Sequence, residues 1–546
     1  MTVDGGIRPD APVEPRPLAE LIERLRSRGQ LVRVAGDEPR AARVPGPTIA
    51  GIAYDSRLAG PDSLFVAIPG GHSDGHDFVR TAESSGSAAA IVERIVEEVG
   101  IPQVVVRDAR LALATTAAWW YGDPSRELGV IGITGTDGKT TTSFLAAAVL
   151  EAAGISTGLI TTAAVKIGAE RVANVEHVTT PQAPELQGML RAMVRGGNEV
   201  AIVESTSHGL ALHRVAEIEY DVAIFTNLSH EHLELHGTFE AYRAAKVGLF
   251  ERLGRSPGDA APGHGPKRPA RIWPRTAIVN IDDPSAGFFL DAAKGAGARL
   301  ITYGFAETSD VQAADIDEDR DGLSFMARTP RWRERVTLHL AGRFNVANAL
   351  AAIALGEALE LDPAVVRSGL AGLSGVPGRM ERLVLGQPFG VIVDYAHSPA
   401  ALEKVLDILA PLAGPGAGLI VVFGSAGERD VQKRPIMGRV AGERCRLVIV
   451  TDEDPRGEDP GAILEEIAVG AEQAGKRRGD DLLCIADRTE AIAVAFSRAR
   501  PGDIVLLAGK GHEQSIITAH GPVAWDERAE AIRALARLGY SSGGSD

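Results

Sequence analysis

The sequence predicts an α/β protein of three domains, two of them built on parallel sheets, and three observations carry that prediction. First, the buried strand "LGVIGIT" runs through the Gly-rich loop "GTDGKTTT" into the apolar-periodic helix "SFLAAAVLEAAG", the strand, loop, helix unit of nucleotide-binding sheets. Second, from residue 389 onward the runs "FGVIVDYAH", "LIVVFGSAG", "RLVIVTDE", "DLLCIAD" and "DIVLLAG" alternate with helical patterns, as in a second parallel sheet. Third, 546 residues with 45% hydrophobic content suffice for several packed cores and exceed one ordinary domain.

Taken in order, residues 1–16 are Pro-rich and acidic and read as disordered. A small α/β domain follows over 17–122: helix-like "LAELIERLRSRG", Tyr54-Asp55-Ser56-Arg57, the strand "SLFVAI", the loop "PGGHSDGH", then strand-like "AAAIV" and "QVVV". The central domain, 123–373, holds the Gly-rich loop and the buried strands "VAIVES", "VAIFTNLS" and "TAIVN". It carries a Pro, Gly and Arg-rich surface insertion at about 251–275 and ends after the Ala-rich helix of "AGRFNVANALAAIALGEAL". The joint "GLAGLSGVPGRME" leads into the third domain, 374–540, and "SSGGSD" at 541–546 reads as a disordered tail.

A net charge of -15, with acidic and basic residues interspersed, argues against a phosphate-tracking nucleic-acid surface, so an anionic ligand must be held by local positive groups. Cys445 and Cys484 each sit in an apolar, strand-like run without metal spacing, which predicts core packing in a reducing compartment. No stretch of about 18 uninterrupted apolar residues and no apolar leader occurs, so the expectation is a cytoplasmic protein without membrane insertion.

"GITGTDGKTTT" departs from the strict phosphate-loop spacing because Ile133 takes the first glycine position. The working parts remain. Gly135 and Gly138 let the backbone approach phosphate oxygens, the helix N-terminus offers N–H donors, Lys139 reaches the β and γ phosphates, and Thr140 suits Mg2+. Glu204 and His232 fall at or just after successive strand ends, where open α/β sheets collect ligands, though each also reads as an ordinary core or loop polar group. Lys246, on an apolar helix pattern, reads by itself as a snorkelling surface lysine.

The ordered set "YDSR", "TGTDGKTTT", "TTP" (179–181), "ESTSHGL", "TNLSHEHLELHG", "AAKVGLF", "GRFNVANALAA", "VPGRMER", "DYAHSP", "GERDVQKRP", "DEDPR" and "GKGHE" resembles the Mur ligases of bacterial cell-wall synthesis, in the branch of UDP-N-acetylmuramoyl-tripeptide synthetases. The resemblance covers nearly the whole ordered chain. It implies a small UDP-binding α/β domain, a central phosphate-loop ATPase domain and a C-terminal Rossmann-like domain. It also implies ATP-dependent amide formation: the γ-carboxylate of D-Glu attacks the γ-phosphate of ATP, and an amine captures the acyl phosphate. Implied ATP contacts are Gly135, Thr136, Asp137, Gly138, Lys139, Thr140, Thr141, Asn345, Asn348 and Asp394, with Arg379 on the phosphates. Thr140, Glu204, His232 and a carbamylated Lys246 match the family's Mg2+ sites.

For the small-molecule substrate UDP-MurNAc-L-Ala-D-Glu, the resemblance implies Tyr54, Ser56, Gly71, His72 and Ser73 on the uridine side and Thr179, Thr180, Thr206 and Arg214 on the muramoyl-peptide side. Departures are Thr206 for serine, Leu212 for glutamine, Asp137 for asparagine, and Glu231 and Glu234 in "EHLE" for "DHLD". The diamino acid falls to Arg429, Glu453, Asp454, Pro455, Arg456, Gly509 and Glu513. Arg456 favours a distal carboxylate and Asp454 a distal ammonium, which tilts the expectation towards meso-diaminopimelate over lysine or ornithine. Pairing of Arg456 with Asp454 or Glu458, merely to fix the loop, is the competing reading. A monomer is expected. Folylpolyglutamate synthetase and a silent nucleotide-binding paralogue are the rival functions; "YDSR", "DGH" and "GKGHE" speak against the first, and intact Lys139, Glu204, His232 and Lys246 against the second.

Overall fold

The computed structural model describes residues 2–3, 6–7, 14–35, 46–71, 73–174, 178–229, 236–253, 273–318 and 322–541. Most of residues 1–16, the insertion at 254–272, the tail at 542–546, His72, Glu231, His232 and Glu234 lie outside the described residues.

Every apolar run read as a strand is one, and the reason is visible in the core. In the central domain all six residues of Gly129–Thr134 are buried, because helices cover both faces of the sheet. That sheet runs Thr157–Ile160, Val200–Glu204, Gly129–Thr134, Val222–Phe225, Thr276–Asn280, Arg299–Gly304 and Val311–Glu318, all parallel. Antiparallel strands extend both edges. The chain crosses from one side of Gly129–Thr134 to the other between Val200–Glu204 and Val222–Phe225. A topological switch point therefore opens at the carboxyl end of Gly129–Thr134, where the Gly-rich loop leaves.

Two other sheets stand beside it. The first domain orders Leu31–Ala35, Gln103–Val106, Ala89–Val92, Ser63–Val66 and Gly51–Ala53, with only the first strand antiparallel. The C-terminal sheet orders Glu381–Leu383, Gly390–Asp394, Ile504–Ala508, Leu419–Phe423, Leu447–Val450 and Leu482–Cys484, parallel but for its first strand. A charged seam fixes the first domain on the central one: Arg24 forks onto Asp123, and buried Glu217 accepts from Arg28 and from the Thr115 hydroxyl.

The cysteine expectation holds for one residue. Cys445 is buried, but it follows the helix Lys433–Arg444 rather than lying in a strand. Cys484 is exposed, because Leu482–Cys484 is the edge of its sheet and lacks a covering neighbour there. Among the described residues no helix is long and apolar enough to cross a membrane.

Candidate functional site: a phosphate loop joined to a buried glutamate

The loop between Thr134 and Lys139 turns on two glycines in the left-handed region, Gly135 (φ 149°) and Gly138 (φ 82°). Neither tolerates a side chain: a Cβ would meet the Thr226 hydroxyl at 1.9 Å from Gly135 and the Asn348 amide oxygen at 2.3 Å from Gly138. The helix Lys139–Ala152 starts directly after, so its first N–H groups face the loop. Lys139 Nζ donates to the carbonyls of Gly135 (3.0 Å) and Thr136 (2.6 Å).

Lys246 is not the surface lysine that the helix pattern suggests. It is 2% exposed, and its Nζ donates to the same Gly135 carbonyl at 2.6 Å and lies 4.6 Å from the centre of the Tyr242 ring. Tyr242 in turn shares a hydrogen bond with the Thr136 hydroxyl (3.0 Å). The helix Phe239–Glu251 thus presents an ammonium group to the underside of the phosphate loop.

Glu204, the last residue of Val200–Glu204, is fully buried and gathers the site. Its carboxylate accepts from the Thr162 hydroxyl (3.0 Å) and backbone N–H (3.3 Å), and the Thr140 hydroxyl and Lys139 are near enough to favour its charged form. Burial pushes this carboxyl above its usual range, against the opposing pull of Lys139, the Thr140 hydroxyl and Arg379. Thr162 passes the connection to Thr179 (2.9 Å). The Glu204 carbonyl accepts from the Thr180 hydroxyl (2.8 Å), which meets that of Thr206 at 3.0 Å. Arg214 donates to the Thr180 carbonyl (2.8 Å). Glu204 and the predicted peptide-side residues are therefore one hydrogen-bonded group at the switch point, beside Lys139 and Thr140.

Asn345 and Asn348 are engaged within the protein. Asn345 donates to the Ala341 carbonyl (2.7 Å) and accepts from Asn348 (2.9 Å), whose amide oxygen accepts from the Thr142 hydroxyl (3.3 Å). They brace the loop from behind. Thr141 is buried in the first turn of the helix. Asp137 pairs across the cleft with Lys404 of the C-terminal domain at 3.2 Å, half exposed on both sides, so the pair contributes little to stability.

From the C-terminal domain comes Arg379, stacked 5.0 Å over the Tyr395 ring. Its neighbour Met380 adopts φ 47°, and Asp394 stabilises that turn by accepting from the N–H groups of Met380 and Ala396, both at 2.8 Å. Burial raises the Asp394 carboxyl, while Arg379 and the two N–H donors oppose it. In this structure Asp394 shapes the turn that carries Arg379.

The "DEDPR" segment packs on the "GER" turn that holds exposed Arg429: Gly427 N–H donates to the Asp454 carbonyl (2.8 Å), and a Cβ at Gly427 would lie 2.1 Å from the Pro455 carbonyl. Asp454 is engaged within the protein through one carboxylate oxygen. Its carboxylate accepts from fully buried Lys510 (2.8 Å) and from Ile517 N–H (2.9 Å), so this oxygen is already matched to an internal ammonium. Lys510 also bonds Glu513 (2.5 Å), which accepts from Tyr395 (3.2 Å). Glu453 is buried against Gly509, one carboxylate oxygen has no hydrogen-bond partner among the described residues, and burial raises its carboxyl.

Arg456 forms neither loop-fixing pair. Asp454 is taken by Lys510 and Glu458 by Arg434 (2.9 Å). The backbone of Arg456 is held at φ 53° by its N–H donating to the Ile517 carbonyl (2.9 Å), and its Nε has no partner among the described residues.

On the first domain's side, Tyr54 donates to Glu185 of the central domain (2.8 Å), Ser56 opens a short 3-10 turn, and the Gly71–Ser73 loop is closed by Gly70 N–H on the Ser73 carbonyl (3.0 Å).

Three family models match this chain: "Mur ligase family, catalytic domain" over residues 48–121, "Mur ligase middle domain" over 133–356 and "Mur ligase, glutamate ligase domain" over 378–511. The chain is 49% identical over 509 residues to a UDP-N-acetylmuramyl-tripeptide synthetase of Roseiflexus sp. (strain RS-1), covering 92% of this chain and 97% of that protein. The chain belongs to the Mur ligase family. It is an ATP-dependent, ADP-forming ligase that serves peptidoglycan synthesis.

This Mur ligase is also 40% identical to the UDP-N-acetylmuramoyl-L-alanyl-D-glutamate--2,6-diaminopimelate ligase of Syntrophomonas wolfei, over 89% of this chain and 94% of that one. A solved structure of a ligase of that same name matches with TM-score 0.63 and 29% identity, over 93% and 98% of the two chains. Sequence reasoning missed Thr162, Lys510, Tyr395 and Tyr242 in the Mur ligase site. Lys510 stands in plain view in "GKGHE", but nothing local separates a buried lysine between two glycines from a loop lysine.

Proposed function

We propose that this Mur ligase joins a diamino acid to UDP-MurNAc-L-Ala-D-Glu, with meso-diaminopimelate favoured, at a cleft closed by the C-terminal domain. The single observation that carries the reading is buried Glu204, which stands beside Lys139 and Thr140 of the phosphate loop on one side and, through Thr162 and its own carbonyl, is hydrogen-bonded to the substrate-side Thr179, Thr180 and Thr206 on the other. The name of the Roseiflexus relative supports tripeptide synthesis, and that of the Syntrophomonas relative supports diaminopimelate as the amino acid.

In this reading the phosphate loop and Lys139 seat the phosphates of ATP, and Arg379 faces them from the C-terminal domain. The D-Glu γ-carboxylate, aligned from the threonine side, takes the γ-phosphoryl group to give an acyl phosphate, and ADP leaves. The amine of the third amino acid then forms the amide and releases phosphate. Such chemistry asks for positioning and neutralisation of charge more than for proton transfer. The Thr140 hydroxyl and Glu204 carboxylate suit Mg2+, which keeps few protein ligands and takes the rest from water and phosphate. His232 and a carbamylated Lys246 complete the proposed set. When bound, Mg2+ supplies neutralisation of phosphate charge.

Arg456 supports the preference for an acceptor with a distal carboxylate, because it has no acidic partner among the described residues. Arg456→Ala is expected to lower kcat/KM for meso-diaminopimelate about 10- to 100-fold, the scale of one charge-assisted contact, and to change lysine or ornithine use less than about threefold. Steady-state kinetics with the three amino acids checks this. Unchanged diaminopimelate use in the variant would remove the clamp, and a wild-type preference for lysine or ornithine would reassign the acceptor.

A further inference from the structure

Arg488, the first residue of the helix Arg488–Arg498, is buried in the C-terminal domain. Its Nε and Nη2 fork onto the two carboxylate oxygens of Glu527 (2.8 and 2.7 Å), the equally buried first residue of the helix Glu527–Arg537. Glu527 also accepts from the Trp525 indole N–H (2.7 Å). Holding two helices together does not call for a buried ion pair, since apolar side chains of similar volume often do so equally well. What they cannot supply is the rest of the guanidinium. Nη1 donates to the Asp452 carbonyl (3.1 Å), and Nη2 to the Ala508 carbonyl (2.8 Å).

Those two carbonyls lie at the carboxyl ends of strands that do not pair with each other. Leu447–Val450 and Ile504–Ala508 are separated in the sheet by Leu419–Phe423. One guanidinium reaching both means that the outer chains converge beyond the end of the middle strand. The middle chain gives way there through Gly424, where a Cβ would run into the Thr451 carbonyl. Directly after each bonded carbonyl comes a residue counted above among those for the third amino acid: Glu453 after Asp452, and Gly509 after Ala508. These two face each other. A Cβ on Gly509 would lie 2.6 Å from the Glu453 carboxylate oxygen that has no hydrogen-bond partner among the described residues. Asp454 and Glu513, joined by Lys510, follow on the same two chains. Burial raises the Glu453 carboxyl, and the charge of Arg488, after those of Lys433 and Lys510, opposes that rise.

We propose that Arg488, oriented by Glu527, is a positioning residue for the amino-acid pocket, its two carbonyl bonds setting the spacing between the Glu453 and Gly509 chains. The inference rests on the reading of that pocket given above. Arg488 touches no substrate in this account; it acts through the backbone on both walls.

The test uses the full-length wild-type protein, Arg488→Lys, and the double variant Arg488→Met with Glu527→Gln, which removes both charges and keeps an acceptor for Trp525. Steady-state kinetics gives KM for each of the three substrates, and thermal unfolding reports the fold. The double variant is expected to unfold cooperatively and to raise KM for meso-diaminopimelate about 10- to 100-fold, the scale of a misplaced contact. Its kcat and its KM for ATP and for UDP-MurNAc-L-Ala-D-Glu stay within about threefold. Arg488→Lys falls in between, because an ammonium group keeps the charge on Glu527 but loses the fork that reaches both carbonyls. An unchanged KM for diaminopimelate in the folded double variant would leave the pair a support of the fold and overturn the proposal, as would a rise shared equally by all three substrates. If the double variant does not fold, Arg488→Lys decides on the same two criteria. A wild-type protein that ligates lysine or ornithine instead is tested with that amino acid; one that ligates none would defeat the functional reading, and this inference with it.

Discussion

Lys139→Ala is expected to abolish ligation, lowering acceptor-dependent phosphate release by at least about 1000-fold. The ammonium group lies on the Gly135 and Thr136 carbonyls, near buried Glu204, where the proposed mechanism positions and neutralises the γ-phosphate. Removing it takes both effects away together. A collapse of the fold does not explain the loss in advance, because position 139 opens a helix and alanine is the strongest helix former. The check is steady-state phosphate release alongside thermal unfolding: near-normal turnover by a stable variant would take the phosphate loop out of the mechanism.

Lys246→Ala is expected to lower turnover by about 100-fold or more, with partial recovery on adding formate or acetate. A lysine so deeply buried, bonded to the phosphate-loop carbonyl that also receives Lys139, places two cations on one oxygen. Carbamylation would turn one of them into a carboxylate-like group, easing that repulsion and giving a hard cation an oxygen ligand. Short carboxylates entering the space left by the side chain replace that group. Full activity without rescue would show that the carbamate is not needed, and loss that no carboxylate restores would leave Lys246 as a support for the loop.

Most of the fold was legible because sheets buried on both faces write themselves as unbroken apolar runs. "VAIVE" and "VAIFT" read from the sequence as buried strands of the phosphate-loop sheet, and in the structure they flank its phosphate-loop strand. The phosphate loop was legible for the same local reason: two glycines, a lysine and a threonine at a strand-to-helix turn. What stayed hidden is long-range pairing. Asp454 and Lys510 lie 56 residues apart, so the sequence shows an acceptor at 454 without showing that its partner is already built in. Lys246 was misjudged from periodicity because the helix Phe239–Glu251 buries the face that bears it under the loop. Cys484 shows the converse error, since a strand at an edge carries the same apolar residues as one inside.

The most direct measurement uses the wild-type protein with ATP, Mg2+, meso-diaminopimelate and UDP-MurNAc-L-Ala-D-Glu carrying oxygen-18 in the D-Glu γ-carboxylate, with product and phosphate read by mass spectrometry. The expected result is tripeptide formed in step with phosphate, each phosphate carrying one labelled oxygen from the broken acyl phosphate. Tripeptide with unlabelled phosphate, or no phosphate release with diaminopimelate, lysine or ornithine, would contradict it.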